Sequence, residues 1–125
     1  MSAAPESHLP LTHLSFEILM ILAAAPLHGY AAIRALHDST TCITKPRTGT
    51  FYSAIHRLQG SGLVEEVDPT SEEENRDERR RYYGLTARGR EVLAAETGRL
   101  EALVKAARGT LAARRNPAGV WEIPS

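Results

Sequence analysis

The sequence predicts a mostly α-helical protein with a small β-hairpin, which is an α+β fold. Three observations lead to this prediction. Apolar residues recur at helical spacing in three segments before residue 60, two short β-like segments flank a polar stretch, and a long helical pattern follows residue 86. The 125 residues suffice for one domain with an appended helix.

Two helices are predicted before residue 40. The first occupies residues 14–25, is apolar on nearly every face and is ended by Pro26, so it should be mostly buried. The second follows Gly29, which is expected to permit a tight turn between the helices. Tyr30, at the start of this helix, is expected to pack inside with its hydroxyl on a polar partner, and a supporting phosphate contact is the alternative.

A third helix and a hairpin are predicted next. The helix begins near Thr48 or Gly49 and turns an apolar stripe inward. Gly60 and Gly62 end it, since glycine accepts the left-handed conformation common after a helix. Residues 63–67 and 81–85 have the composition of two paired strands, and the polar residues 68–80 between them are expected to form a long hairpin loop.

A long helix is predicted over residues 86–114, with a length of ~43 Å at ~1.5 Å per residue. Its apolar residues recur at heptad spacing and form a stripe longer than so small a domain can cover. Packing against the first helix is one alternative, but a second copy of the chain is the simplest partner. The expected dimerisation residues are Leu93, Leu100, Leu103, Val104, Ala107 and Leu111.

These patterns divide the chain into four parts. Residues 1–10 lack periodicity and are expected to be a disordered lead, and residues 11–85 form the first domain. Residues 86–114 form the long helix, and residues 115–125 form a tail that carries the only tryptophan, Trp121.

Composition excludes several classes of protein. No apolar run is long enough to span a membrane, and a single cysteine, Cys42, forms neither a disulfide nor a metal-ligand pair, so a cytoplasmic location is expected. The five histidines are scattered, and the sequence has no nucleophile elbow or phosphate-binding loop. We therefore expect no enzymatic activity, no metal and no cofactor.

The charges are segregated along the chain, although 15 basic and 15 acidic residues give a net charge of zero. Basic side chains cluster around the third helix, whereas acidic side chains are concentrated in residues 65–78. A local basic face for nucleic acid is therefore compatible with the neutral total.

Several motifs, taken in order, resemble the PadR family of bacterial transcription regulators. They span most of the chain, and we identify it with the short branch of the family, which has one C-terminal helix. The motifs are the apolar residues 18–22, Pro-Leu-His-Gly-Tyr at 26–30, Gly-Thr-Phe-Tyr at 49–52, Arg-Leu at 57–58, Gly-Leu-Val at 62–64, Arg-Arg-Tyr-Tyr-Gly-Leu-Thr at 80–86 and Gly-Arg at 89–90.

The order of elements and the resemblance both indicate a winged helix-turn-helix with a dimerisation helix. In such a fold the third helix enters the major groove of DNA, and the hairpin, or wing, contacts phosphates or the minor groove. Three alternatives remain open. Tyr52 can pack in the core, and Thr48 can cap the helix. The wing arginines can neutralise the acidic side chains within residues 72–78 of their own hairpin. The predicted DNA-contacting residues are Lys45, Arg47, Thr48, Thr50, Tyr52, Ser53, His56, Arg57, Arg79, Arg80 and Arg81.

The resulting hypothesis is a homodimeric repressor that binds a palindromic operator in double-stranded DNA. The resemblance also implies release by a small aromatic or drug-like effector, in a pocket that would include Phe16, Leu100 and Val104. A regulator without an effector, controlled only by its abundance, is one alternative. The competing hypothesis is a winged-helix module that docks proteins without binding DNA. The neutral net charge and the acidic wing favour that alternative.

Overall fold

Three helices, α1 (His13–Ala24), α2 (Gly29–Asp38) and α3 (Thr48–Gly60), enclose one apolar core. The computed structural model describes residues 4–68 and 81–122. Each helix turns an apolar stripe towards the other two, and the helices lie where the sequence predicts them. The largest side chains that are fully buried in this core include Ile18, Leu19, Leu22, Leu36, Phe51, Ile55 and Leu63.

A three-stranded antiparallel sheet flanks the helices, in the order β1 (Leu27–His28), β3 (Tyr82–Leu85), β2 (Val64–Val67). The sequence predicts β2 and β3 but not β1, because two residues are too few to show a period. With strands on both sides of β3, Tyr82 and Tyr83 are both buried. The predicted hairpin loop falls outside the described residues, apart from Asp68.

Helix α4 (Ala87–Leu111) begins directly on the backbone that follows α3. The Thr86 hydroxyl accepts a hydrogen bond from the Gly89 N–H at 2.9 Å and donates one to the Gly62 carbonyl at 2.7 Å. The Thr86 N–H donates to the Leu63 carbonyl at 3.1 Å. A Cβ on Gly89 would lie 2.1 Å from that same oxygen, so only glycine allows this approach.

Helix α4 is 25 residues long, about 37 Å at ~1.5 Å per residue, and only its first half packs on the core. Val92 and Glu96 are buried there, whereas every residue from Glu101 to Leu111 is exposed. The helix ends at Leu111, three residues before the end of the helix predicted over residues 86–114.

A short hairpin replaces the last residues of the predicted helix and part of the expected tail. It pairs β4 (Arg114–Arg115) with β5 (Trp121–Glu122). The Asn116 carboxamide oxygen accepts the N–H groups of Ala118 and Val120, both at 3.0 Å, and this side-chain turn reverses the chain. The Arg115 guanidinium lies 5.0 Å from the centre of the Trp121 ring.

The N-terminal segment is also more ordered than its composition predicts. Residues Pro5–His8 form a 3-10 helix, and Leu9 packs against the core. The Leu11 N–H donates to the buried Glu96 carboxylate of α4 at 2.8 Å. This partner lies 85 residues away in sequence, which explains why local composition suggests a disordered lead. Residues 1–3 lie outside the described residues.

In residues 4–68 and 81–122, no helix has both the length and the hydropathy needed to cross a membrane.

Replacing Gly89 with alanine should destabilise the fold by about 1–3 kcal/mol, because the added methyl group would collide with the Leu63 carbonyl. The free energy of unfolding in urea would measure this. Gly98→Ala on the same helix is the matched control. A Cβ there would meet nothing within 4 Å. This control should therefore stabilise the helix by about 0.5–1 kcal/mol. Equal effects of the two substitutions would contradict the proposed contact.

Candidate nucleic-acid interface

Helix α3 has one buried face and one exposed polar face. Phe51, Ala54, Ile55 and Leu58 are buried in the core. None of the 13 residues of α3 is acidic, so the opposite face carries no negative charge. The exposed residues on and just before this face are Arg47, Thr48, Gly49, Thr50, Ser53, His56 and Arg57. Six of the eleven predicted DNA-contacting residues are therefore brought together on one surface.

The start of α3 differs from the other helix starts. Side chains of Thr12, His28 and Thr86 accept backbone N–H bonds at the starts of α1, α2 and α4. Of the four α-helices in the described part of the chain, α3 alone has an N-cap residue, Arg47, that makes no such bond. Thr48 is the first helical residue, so its alternative role as N-cap is not observed. Uncapped N–H groups beside a cation favour an anion at this end.

Tyr52 is half-buried and packs, in keeping with the alternative interpretation of this residue. Its ring meets that of Phe51 edge to face, with 5.3 Å between centroids. A Cβ on Gly29 would lie 2.1 Å from the Tyr52 hydroxyl oxygen, so α2 and α3 approach closely here. Gly29, within α2, therefore allows the close contact with α3 rather than the predicted tight turn.

Lys45 is occupied within the protein. Its ammonium donates to the carbonyls of Leu36 at 3.0 Å, His37 at 2.9 Å and Ser39 at 2.5 Å, and so caps the end of α2. The prediction that Lys45 contacts DNA rested on its position before α3, which does not reveal where the side chain points. These contacts direct the ammonium to the end of α2, so Lys45 is not part of the proposed interface.

Of the three wing arginines, only Arg81 lies within the described residues, and Arg79 and Arg80 fall outside them. Arg81 donates to the Glu66 carboxylate at 3.2 Å across the sheet. Both side chains are exposed, so the pair contributes little to stability and Arg81 can exchange partners. The acids expected to be neutralised by the wing arginines, residues 72–78, lie outside the described residues.

Helix α2 exposes two further residues at one side. Tyr30 is 66% exposed, so the prediction that it packs inside is wrong. Arg34, one turn later, is also exposed. Sequence reasoning missed Arg34, although it stands four residues after Tyr30, on the same side of the helix. The first helix of a helix-turn-helix crosses the DNA backbone, which makes Arg34 a candidate phosphate contact.

An open groove of about 630 Å³ lies between α1 and α4. All three predicted effector-pocket residues line it, and the full lining is Phe16, Thr97, Leu100, Glu101, Ala102, Val104, Lys105 and Arg108. A second cavity of about 350 Å³ also touches Phe16 and Leu100, so the two are adjacent.

Two buried carboxylates lie at the second cavity. Hydrogen bonds from Arg99, and then from the Leu11 N–H, lower the pKa of Glu96 below its usual value, despite an opposing effect of burial. Burial raises the pKa of Glu17, but hydrogen bonds from Thr44 and Ile43 lower it further, so its net pKa is also reduced. Both groups therefore stay ionised at neutral pH. Within the described residues, no three metal-ligating side chains come together.

The predicted dimerisation residues separate into two groups. Leu93 packs against the core of its own chain and Leu100 is half-buried. Leu103 is 52% exposed, Val104 50% and Leu111 83%, and Ala107 is exposed as well. The same helical stripe is thus covered at one end and uncovered at the other.

Solved structures with the same fold include transcription regulators. A PadR family regulator from Clostridium difficile R20291 superposes with a TM-score of 0.64 and 22% identity, over 80% of this chain and 99% of that one. A regulator from Clostridium thermocellum superposes with a TM-score of 0.62 and 23% identity, over 77% of this chain and 87% of that one. A PadR family regulator from Eggerthella lenta superposes with a TM-score of 0.61 and 22% identity, over 80% of this chain and 85% of that one. A comparison with curated proteins gives no significant match.

The sequence itself matches the model of the PadR-like family of transcriptional regulators over residues 18–95. This match covers the second half of α1, then α2, α3, the sheet and the start of α4, which belong to the winged helix-turn-helix. The family and its solved relatives are regulators and not enzymes. The chain belongs to the PadR-like family of transcriptional regulators.

Proposed function

We propose that the chain is a homodimeric repressor that reads a palindromic operator in double-stranded DNA with α3. The observation that carries this proposal is the exposed, acid-free polar face of α3 with its uncapped start. In a helix-turn-helix, this second helix lies in the major groove, where its exposed side chains reach the bases. An acid-free face avoids repulsion of the phosphates, even though the chain as a whole is neutral.

The residues on this face divide by position. Arg47, Thr48 and Thr50 surround the helix start, where free N–H groups and hydroxyls suit phosphate oxygens. Ser53, His56 and Arg57 follow along the exposed side and would face base edges in the major groove. Arg57 is suited to guanine, since a guanidinium bonds O6 and N7 together.

The dimer is proposed from α4. The apolar stripe that packs on the core at Leu93 continues at heptad spacing to exposed Leu103, Val104 and Leu111. Such a stripe is stabilised by a second copy of the helix. A twofold dimer would place two α3 helices on successive major grooves ~34 Å apart, so that the operator would be a palindrome.

Replacing Arg57 with alanine should weaken operator binding by roughly 5- to 150-fold, because a bidentate base contact contributes ~1–3 kcal/mol. We would measure fluorescence anisotropy across a salt series, on DNA from upstream of the protein's own gene or on genomic fragments selected by the protein. The matched control is Arg114→Ala, which removes the same charge from the exposed C-terminal hairpin. It should leave the affinity unchanged.

Binding by the parent protein should weaken steeply with salt, by ~0.9 log units per log unit for each phosphate contacted. Failure of every genomic fragment to bind better than random DNA would reject the repressor. It would favour the alternative that the fold docks another protein.

Replacing Leu103 with glutamate should convert the dimer to monomer, because the charge would be buried in the proposed seam. Sedimentation equilibrium would measure the oligomeric state. Gly109→Glu is the matched control, since position 109 is exposed on the opposite side of α4 and a side chain there meets nothing within 4 Å. A parent protein that sediments as a monomer, or equal effects of both variants, would contradict the proposed seam.

Effector control is proposed from the groove that contains Phe16, Leu100 and Val104, which is apolar along the helices and has charged groups at its edge. A planar aromatic compound would fit this chemistry and would shift α1 against α4. Such compounds should release the parent protein from DNA. Phe16→Ala should bind DNA normally and respond at least several-fold more weakly, as measured by anisotropy. An undiminished response in Phe16→Ala would place the effector elsewhere.

A further inference from the structure

The connector between α2 and α3, residues 39–47, has no regular secondary structure, yet it determines where α3 begins. Between its two ends, its backbone is not part of a helix or strand ladder, so side chains must fix its conformation. The Ser39 hydroxyl accepts the N–H groups of Thr41 at 3.1 Å and Cys42 at 3.0 Å. Two charged side chains hold the rest, one from α1 and one from the connector itself.

Glu17 of α1 holds the middle of the connector. Its side chain is 3% exposed, and its carboxylate accepts the Ile43 N–H at 2.9 Å and the Thr44 N–H at 3.3 Å. The Thr44 hydroxyl donates to the same carboxylate. The His13 imidazole lies 2.9 Å from Oε2, the oxygen that also accepts the Ile43 N–H. Hydrogen bonds to an ionised acceptor are the strong ones, so this carboxylate acts as a latch on the connector.

Lys45 holds the end of the connector. Its backbone has a φ of 41°, in the left-handed region that non-glycine residues rarely adopt. Its ammonium reaches back to three carbonyls at the end of α2, and the next residue, Pro46, accepts a hydrogen bond of 2.7 Å from the His37 ring. The strained backbone is therefore held by contacts with α2, immediately before α3 starts.

We propose that Glu17 and Lys45 are positioning residues for DNA recognition, which fix the angle at which α3 presents its polar face without touching DNA themselves. The inference rests on the proposed DNA contact of α3. Without the latch, α3 would still form and still attract phosphates, but its side chains would lie at variable distances from the bases. Discrimination between operator and random DNA would fall, while non-specific binding would persist.

The test compares Glu17→Gln, Thr44→Val and Lys45→Met with Glu96→Gln. Glu96 is the matched control because it is equally buried and also accepts a backbone N–H, from Leu11, but has no contact with the connector. The ratio of dissociation constants for random and operator DNA should fall about tenfold in Glu17→Gln, the factor expected when a buried charged partner is removed. It should stay unchanged in Glu96→Gln, even if that variant melts at a lower temperature.

Lys45→Met separates positioning from direct contact. A lysine on a phosphate contributes ~0.9 to the slope of log affinity against log salt, so its loss would lower that slope. A positioning role leaves the slope unchanged and reduces the discrimination ratio. A lower slope with unchanged discrimination would overturn the proposal for Lys45.

Hydrogen exchange on the DNA-free protein tests the latch independently of DNA. The amides of Ile43 and Thr44 should exchange faster in Glu17→Gln than in the parent or in Glu96→Gln. Thr44→Val, which removes one hydroxyl and keeps the side-chain shape, gives the same comparison if Glu17→Gln does not fold. Unchanged exchange in Glu17→Gln would overturn the latch even if the parent protein binds DNA. Faster exchange in Glu17→Gln, together with a parent protein that binds no DNA, would reject only the proposed function.

Discussion

The joint at Leu63 is the contact on which the arrangement of this chain depends. Its N–H donates to the Leu58 carbonyl and so closes the end of α3, and its carbonyl accepts the N–H of Thr86 at the start of α4. The missing side chain of Gly89 lets α4 rest on that carbonyl. Strand β2 begins one residue later. Three elements therefore meet at one residue, and neither α3 nor α4 can rotate there without breaking a hydrogen bond.

Opposite this rigid joint, the chain is held by two buried carboxylates. Glu17 fixes the connector in front of α3, and Glu96 fixes the N-terminal segment on α4. Both accept backbone N–H groups from segments without regular structure, which have no ladder of their own. Within the described residues, no buried side-chain nitrogen or oxygen lacks a partner, which accounts for two charges so deep in a small domain.

The helices and the two longer strands could be predicted because their apolar residues repeat over several turns or alternations. The same periodicity locates the exposed face of α3, since Phe51, Ile55 and Leu58 define the opposite side. Three features have no local signal: the two-residue strand β1, the bond from Leu11 to Glu96 and the ordered N-terminal segment. Each depends on partners far away in sequence.

The side-chain direction of Lys45 is a different kind of omission. A basic residue just before a recognition helix has the same sequence signature whether it faces DNA or caps the preceding helix. Only the left-handed backbone at this position, which sequence does not reveal for a lysine, sends the ammonium back to α2. For Tyr30 and Arg34 of α2, helical spacing alone does not distinguish an exposed face of the helix from a packed one.

The uncapped start of α3 implies a compromise between stability and function. An aspartate or serine in place of Arg47 would supply the missing acceptor and stabilise the free protein by about 1 kcal/mol. Either would remove a cation from the surface proposed for phosphates, and aspartate would add a repelling charge. The free protein thus tolerates an incomplete helix end that an anionic ligand can complete. Folding and ligand binding would then be thermodynamically linked at the first turn of α3.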